Sequence, residues 1–314
     1  MFFSKCPLRV GLTGGGTDLP LFINDNGYGS VISFPCNLYT YITLTQDIIG
    51  YTSFDHKYII NYREREETDQ INLIKNDIVR EVIKEFQLKP CNVTLTTDVF
   101  ASHNGLASSS SYLISLIKAV TYQYNLSQYD IAVLAYNIEK RFNLFVGYQD
   151  PFGCALGGLK RLEFFKDKSP TVRYLPSEIF NSFNMYLLYT GINRKSQDIL
   201  STLDTDKTKE LLPEVDKLEQ SIVYNNLDDF CNIIKRSWEI KKATSPKILN
   251  NPKLYSLDEY LLENKSVLCH KLCGAGGGGF FVVFTEKDYD FVNYNPKVSV
   301  QIDICNNGVV LCQG

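Results

Sequence analysis

Two nucleotide-binding fingerprints are missing from this sequence. No G-x-x-x-x-G-K-[ST] occurs, because Thr17 stands where the lysine would follow Gly11 and Gly16, and no G-x-G-x-x-G joins a strand to a helix. P-loop and Rossmann readings therefore fail. Basic runs are missing too: no stretch of Lys or Arg exceeds a pair, and 32 cations against 35 carboxylates leave a formal charge of −3. A nucleic-acid partner would call for a basic stripe, so any polyanionic ligand must be held locally. There is no C-x-x-C pair among the nine cysteines, and His56, His103 and His270 are too dispersed to propose a metal site, so reduced thiols are expected. No apolar run approaches the ~18 residues of a membrane span and no long apolar leader opens the chain. A cytoplasmic protein with no membrane partner is the expectation.

What is present is enough for a large core. The 314 residues are 44% hydrophobic and 21% charged, which suits two medium domains; the boundary is placed between 165 and 180, giving 1–170 and 171–314. Strands are expected at 8–13, 31–34, 38–45, 92–97, 159–165, 185–189 and 280–284 from their β-branched and aromatic content. Ile71, Ile74, Ile78, Val82 and Phe86 recur at helical spacing and predict an amphipathic helix over 69–88. Ser127-Gln128-Tyr129-Asp130 fits a capping box that opens a helix running to about 143. Gly147 and Pro151 then bracket a loop, and 197–242 reads as mostly helical.

Three clusters suit an anion. Asn104-Gly105-Leu106-Ala107 leads into four serines and an apolar run, so a glycine turn feeds a helix N-terminus whose N–H groups and dipole converge on one point. Hydroxyls there can also ligate magnesium. A second cluster, Gly274 to Gly279, lies between apolar segments and suggests close backbone approach, although a tight turn would look the same. The third, Gly14-Gly15-Gly16-Thr17-Asp18, can equally be a strand-to-helix turn capped by Asp18. Two acids follow: Glu139 late in a helix, which beside Lys140 and Arg141 also reads as a solvated face, and Asp150 on the adjoining segment.

In order and spacing the whole set resembles the GHMP kinases. Pro7-Leu8-Arg9-Val10-Gly11-Leu12-Thr13-Gly14-Gly15-Gly16-Thr17-Asp18 is similar to the family's first motif, Asn104 through Ser111 to its second, and Lys271-Leu272-Cys273-Gly274-Ala275-Gly276-Gly277-Gly278-Gly279-Phe280 to its third. Ala107, His103-Asn104 and Pro151 depart from the pattern, and a methyl at Ala107 would crowd the loop if that residue needs φ > 0.

The resemblance implies an α+β fold of two domains, one like ribosomal S5 domain 2 and one ferredoxin-like, with Mg-ATP in the cleft between them. It implies that Gly105, Leu106, Ala107, Ser108, Ser109 and Ser110 wrap the nucleotide phosphates, with Gly274, Gly276 and Gly277 closing beside them. Ser109 and Glu139 would hold Mg²⁺, Asp150 would take the acceptor's proton, and Arg9 would stabilise developing charge or hold Asp150 ionised. Gly15, Gly16, Thr17 and Asp18 would face the sugar. Thr13 to Pro20, Tyr148-Gln149-Asp150 and Leu188-Tyr189-Thr190-Gly191 resemble the branch that phosphorylates the anomeric hydroxyl of a heptose phosphate. Such a substrate needs a cation, for which Arg194 or Lys195 is the expectation. A free-sugar kinase of fucose or galactose type and a non-catalytic sugar- or nucleotide-binding regulator remain as alternatives, and a homodimer is left open. Trp238 is expected in packing, not as a nucleobase platform.

Overall fold

A computed structural model of the chain describes residues 1–46, 57–101, 105–193, 196–294 and 298–312. Arg194 and Lys195 lie outside the described residues, as do His56, His103 and Asn104. The chain opens with β1 (Phe2–Thr13), helix α1 (Pro20–Asn26) and β2 (Tyr28–Gln46), followed by β3 (Tyr58–Asn61), β4 (Arg65–Thr68), α2 (Asp77–Phe86) and β5 (Cys91–Thr97). Three helices come next, α3 (Ser108–Val120), α4 (Gln128–Glu139) and α5 (Gln149–Ala155), then β6 (Lys160–Phe165), β7 (Thr171–Tyr174) and β8 (Asn184–Tyr189). Helices α6 (Ser196–Leu200), α7 (Thr205–Lys209), α8 (Leu211–Val223), α9 (Leu227–Ala243) and α10 (Pro252–Glu263) lead to β9 (Val267–Leu272) and β10 (Phe280–Thr285). The short α11 (Phe291–Tyr294), β11 (Ser299–Gln301) and β12 (Val310–Cys312) complete it.

Two sheets organise these elements. The first runs β12-β1-β2-β5-β3-β4, with β6 on the other half of β2 and β7 beside it. The second is antiparallel in the order β11-β8-β10-β9; numbered by sequence within the lobe this is 4-1-3-2, with helices after its first and third strands, so the ferredoxin-like expectation is met. The 170/171 division is not a clean cut. Strand β7 and the returning β12 both belong to the first sheet, because β12 supplies an antiparallel partner to the otherwise open edge of β1. One apolar core lies under the first sheet and another under the second. Between them Leu8, Val10, Leu12 and Phe34 pack with Phe180, Val215, Phe230 and Phe284, which joins the lobes. Among the described residues no helix is long and apolar enough to cross a membrane.

Several local expectations shift for physical reasons. The strands expected at 31–34 and 38–45 are one 19-residue strand, β2, which pairs β1 on one side and β6 then β5 on the other. The helix expected from 69 starts only at Asp77, because the Asn76 side chain caps it by accepting from Val79 N–H, while Glu66 takes the N–H groups of Lys75 and Asn76. The residues before that cap form a single tight turn at Ile71–Leu73. The loop expected between Gly147 and Pro151 is the start of α5. Proline read as a breaker, but in a first helical turn its missing N–H would have had no partner. The Ser127–Asp130 capping box is present as expected.

Candidate active site

The register of β1 against β2 slips between Pro7 and Arg9. A bulge of this kind re-aims one residue, and here it turns Arg9 N–H away from β2 to donate to Leu106 O at 3.1 Å. Arg9 is 4% exposed. Its Nε and Nη2 both donate to Asp150 Oδ1, at 2.9 and 2.6 Å, and its Nη1 donates to Gly105 O at 2.9 Å. One guanidinium therefore ties the acid on α5 to the loop that precedes α3. Burial works against the Arg9 charge, but Asp150 more than offsets it and holds the group above its ordinary value.

Helix α3 begins at Ser108 after Ala107, whose φ of 62° and ψ of 37° are left-handed. The crowding foreseen at Ala107 is thus real backbone strain, worth about 1 kcal/mol for a residue with a Cβ. Its methyl is set against the first core. The turn delivers Gly105, Ala107, Ser108 and Ser109 to one wall of a cleft of about 190 Å³. Leu106 is buried in the interlobe core and contributes its backbone only.

Glu139 is not a solvated residue. It is 2% exposed while Lys140 and Arg141 beside it are exposed, because α4 turns its last buried position toward the start of α3. Ser110 Oγ donates to Glu139 Oε2 at 2.6 Å and Asn143 Nδ2 donates to Oε1 at 3.4 Å. Burial pushes the carboxyl up to about 7, and the nearby Asp150 charge pushes the same way against hydrogen bonds from Ser110, Asn143 and Ser109. Glu139 makes no ion pair among the described residues. A buried carboxylate beside two serine hydroxyls is a hard-oxygen donor set, the kind magnesium prefers.

The opposite wall carries the first glycine cluster. Asp18 Oδ1 accepts from Gly16 N–H and Oδ2 from Gln149 N–H, both at 3.0 Å. Burial raises the Asp18 carboxyl, Asp150 adds to that, and the two N–H groups oppose it. Gly147 has no room for a side chain, since a Cβ would collide with Asp18 Oδ2. Gly15, Gly16 and Asp18 line the cleft. Thr17 does not: it is fully buried, and its hydroxyl donates toward Gly14 O and Ser30 O and accepts from Ser30 N–H. Its task is to close the turn that presents Asp18. Gly274 reaches the cleft, whereas Gly276 and Gly277 face Ile248 and Ile199, and Gly277 N–H donates to Ile248 O. They pack the third loop against the helical layer, with φ of 107° and 74° that explain the glycines.

Residues 72–158 match the family model for the GHMP kinases N-terminal domain. A D-glycero-alpha-D-manno-heptose 7-phosphate kinase of Campylobacter jejuni is 29% identical over an alignment of 316 residues, covering 92% of this chain and 91% of that one. The chain is thus similar to GHMP kinases over those residues and to a heptose phosphate kinase over most of its length. Solved structures agree on the fold. A D-glycero-D-manno-heptose 1-phosphate kinase from Bacteroides thetaiotaomicron superposes with a TM-score of 0.77 at 20% identity, over 100% of this chain and 99% of that one. The galactokinase of Lactococcus lactis gives 0.74 at 14%, over 100% and 95%, and the mevalonate kinase of Methanococcus jannaschii 0.73 at 21%, over 97% and 98%.

Three contributors to the cleft were not singled out by sequence. Gln149 flanks Asp150 and fills the space over Gly11 and Gly15. Lys271 is buried, donates from Nζ to Gly11 O and Leu12 O at 2.9 and 2.8 Å, and is pushed by burial down to about 7; it clamps β9 to β1. Lys241 reaches in from α9. Adjacency to Asp150 and to the third motif marks the first two in the sequence, but nothing distinguishes Lys241 from Lys242. Trp238 is 1% exposed, and its Nε1 donates to Asp258 Oδ1 at 2.7 Å.

Proposed function

We propose that this kinase transfers the γ-phosphate of Mg-ATP to the anomeric hydroxyl of a heptose phosphate, D-glycero-D-manno-heptose 7-phosphate. The observation that carries the reading is the Arg9–Asp150 pair, anchored to Gly105 at the mouth of the loop that leads into α3. Phosphoryl transfer asks for positioning and charge neutralisation more than for covalent chemistry. Bound ATP with magnesium supplies the phosphoryl group and neutralises its charge. Gly105, Ala107, Ser108 and Ser109 offer a helix N-terminus for the phosphates, and Ser109, Ser110 and Glu139 offer the cation its oxygens.

Arg9 occupies Asp150 Oδ1, which leaves Oδ2 to take the proton of the acceptor hydroxyl. Asp18, its orientation fixed by the Gly16 and Gln149 amides, accepts from ring hydroxyls and sets which carbon faces Asp150. The heptose assignment follows the Campylobacter relative. The Bacteroides protein is named for a sugar with its phosphate at the other end, so both isomers belong in the test.

That test is ADP release with Mg-ATP against heptose 7-phosphate, heptose 1-phosphate, free heptose, fucose, galactose and mevalonate. Turnover confined to heptose 7-phosphate is expected. Preference for a free sugar overturns the phosphate assignment, and ATP binding without turnover on any acceptor favours a regulator.

A further inference from the structure

We infer that Lys241 is the residue that binds the phosphate already present on the sugar, and that it makes the site selective for a phosphorylated acceptor. The inference rests on the heptose phosphate reading above. Among the described residues two cations line the cleft, Arg9 and Lys241. Arg9 spends its donors on Asp150 and Gly105, at the end where the acceptor hydroxyl reacts. Lys241 approaches from the other lobe and is 7% exposed. Its Nζ donates to Gly15 O at 3.4 Å, so its charge lies on the same turn as Asp18.

That places three chemistries along one sugar: a proton acceptor at Asp150, a hydroxyl acceptor at Asp18, and a cation beside Gly15. The wall between them is built of Gly15 and Gly16, which carry no side chains to obstruct a longer substrate. A Cβ at Gly15 would point toward Gln149 beside Asp150. The long 3.4 Å contact is one that a phosphate oxygen improves on, since an ammonium-to-phosphate bond is shorter and stronger than one to a neutral carbonyl.

Lys241 is also held in place before any sugar arrives. Ser237, one helical turn earlier on the same face of α9, bonds through its hydroxyl to Thr13 Oγ1 at 2.9 Å. This docks the helix on the end of β1, where the glycine turn begins. A side chain pre-positioned in this way gives up little freedom on binding. Ser196, Gln197 and Leu200 of α6 line the same end of the cleft.

The experiment compares kcat/KM for heptose 7-phosphate with that for free heptose, in the wild type, Lys241→Met and Lys241→Arg, each checked by thermal melting. The expected result is that Lys241→Met lowers the phosphorylated-to-free ratio by ~100-fold, mainly through KM for the sugar phosphate, while Lys241→Arg keeps it within about tenfold of wild type. Lys241→Gln carries the same test should Lys241→Met fail to fold. An unchanged ratio overturns the inference while leaving the kinase reading intact. An equal loss on both sugars, through kcat, also overturns it and moves Lys241 to the transferred phosphoryl group. A wild type that itself prefers the free sugar refutes the substrate assignment and the inference together, and that outcome is visible before any variant is made.

Discussion

Replacing Glu139 by glutamine should stabilise the protein above neutral pH while disabling it. The carboxyl is buried, makes no ion pair among the described residues, and sits at about 7 instead of 4.5. Between those two values the native state keeps a proton that the unfolded chain has released, so folding stability falls as pH rises from 4.5 to 7 and levels off above it. At 1.4 kcal/mol for each tenfold, the full cost above pH 7 is about 3 kcal/mol. Glutamine stands in for the protonated acid and removes that cost, the Ser110 hydrogen bond being already counted in the value of about 7. The net expectation without magnesium or nucleotide is a gain of about 3 kcal/mol at pH 8 and less than about 1 kcal/mol at pH 5. Urea denaturation of both proteins at the two pH values measures it, and ADP release measures the lost activity. A variant that is less stable than wild type at pH 8, or that shows the same difference at both pH values, refutes the reasoning.

Three further outcomes follow from the geometry. Asp150→Asn should lower kcat by ~10³ with little change in KM for ATP, as expected for loss of a general base; steady-state kinetics with a near-normal rate would remove Asp150 from that role. Gly147→Ala forces its new methyl onto Asp18 Oδ2, so KM for the sugar should rise at least about tenfold, as when a bound group is displaced by an ångström or so, with the ATP constant little affected. Trp238→Phe deprives the buried Asp258 of one donor while leaving His270 and Lys242; it should cost about 1–3 kcal/mol in urea melts and leave KM for ATP unchanged, which a nucleobase-stacking role would not.

Much of this was legible because it is local. The helix start at Ser108, the capping box at Ser127 and the strand after the third motif depend on residues near one another in the chain, and the sequence order of the three glycine clusters carried the family resemblance. What could not be read locally was decided at longer range. Glu139 has the exposed look of its neighbours Lys140 and Arg141, and only the packing of α4 on α3 buries it. Thr17 was read with Asp18 as a pair, yet in a tight turn successive side chains diverge, and the Ser30 backbone claims the threonine. Gly276 and Gly277 looked like phosphate contacts for the same reason that Gly274 does; the Ile199 and Ile248 side chains of the helical layer decide otherwise. Pro151 reads as a break unless the helix boundary is known. Lys241 depends on where a helix of the second lobe meets a turn of the first, more than 220 residues away in the chain.

The central claim is transfer to the anomeric oxygen of an already phosphorylated heptose. Phosphorus NMR of the product formed from ATP and heptose 7-phosphate tests it directly. The account predicts a new phosphate ester coupled to the anomeric proton, with the 7-phosphate signal retained. A new ester at any other carbon, or inorganic phosphate in step with ADP, would contradict it.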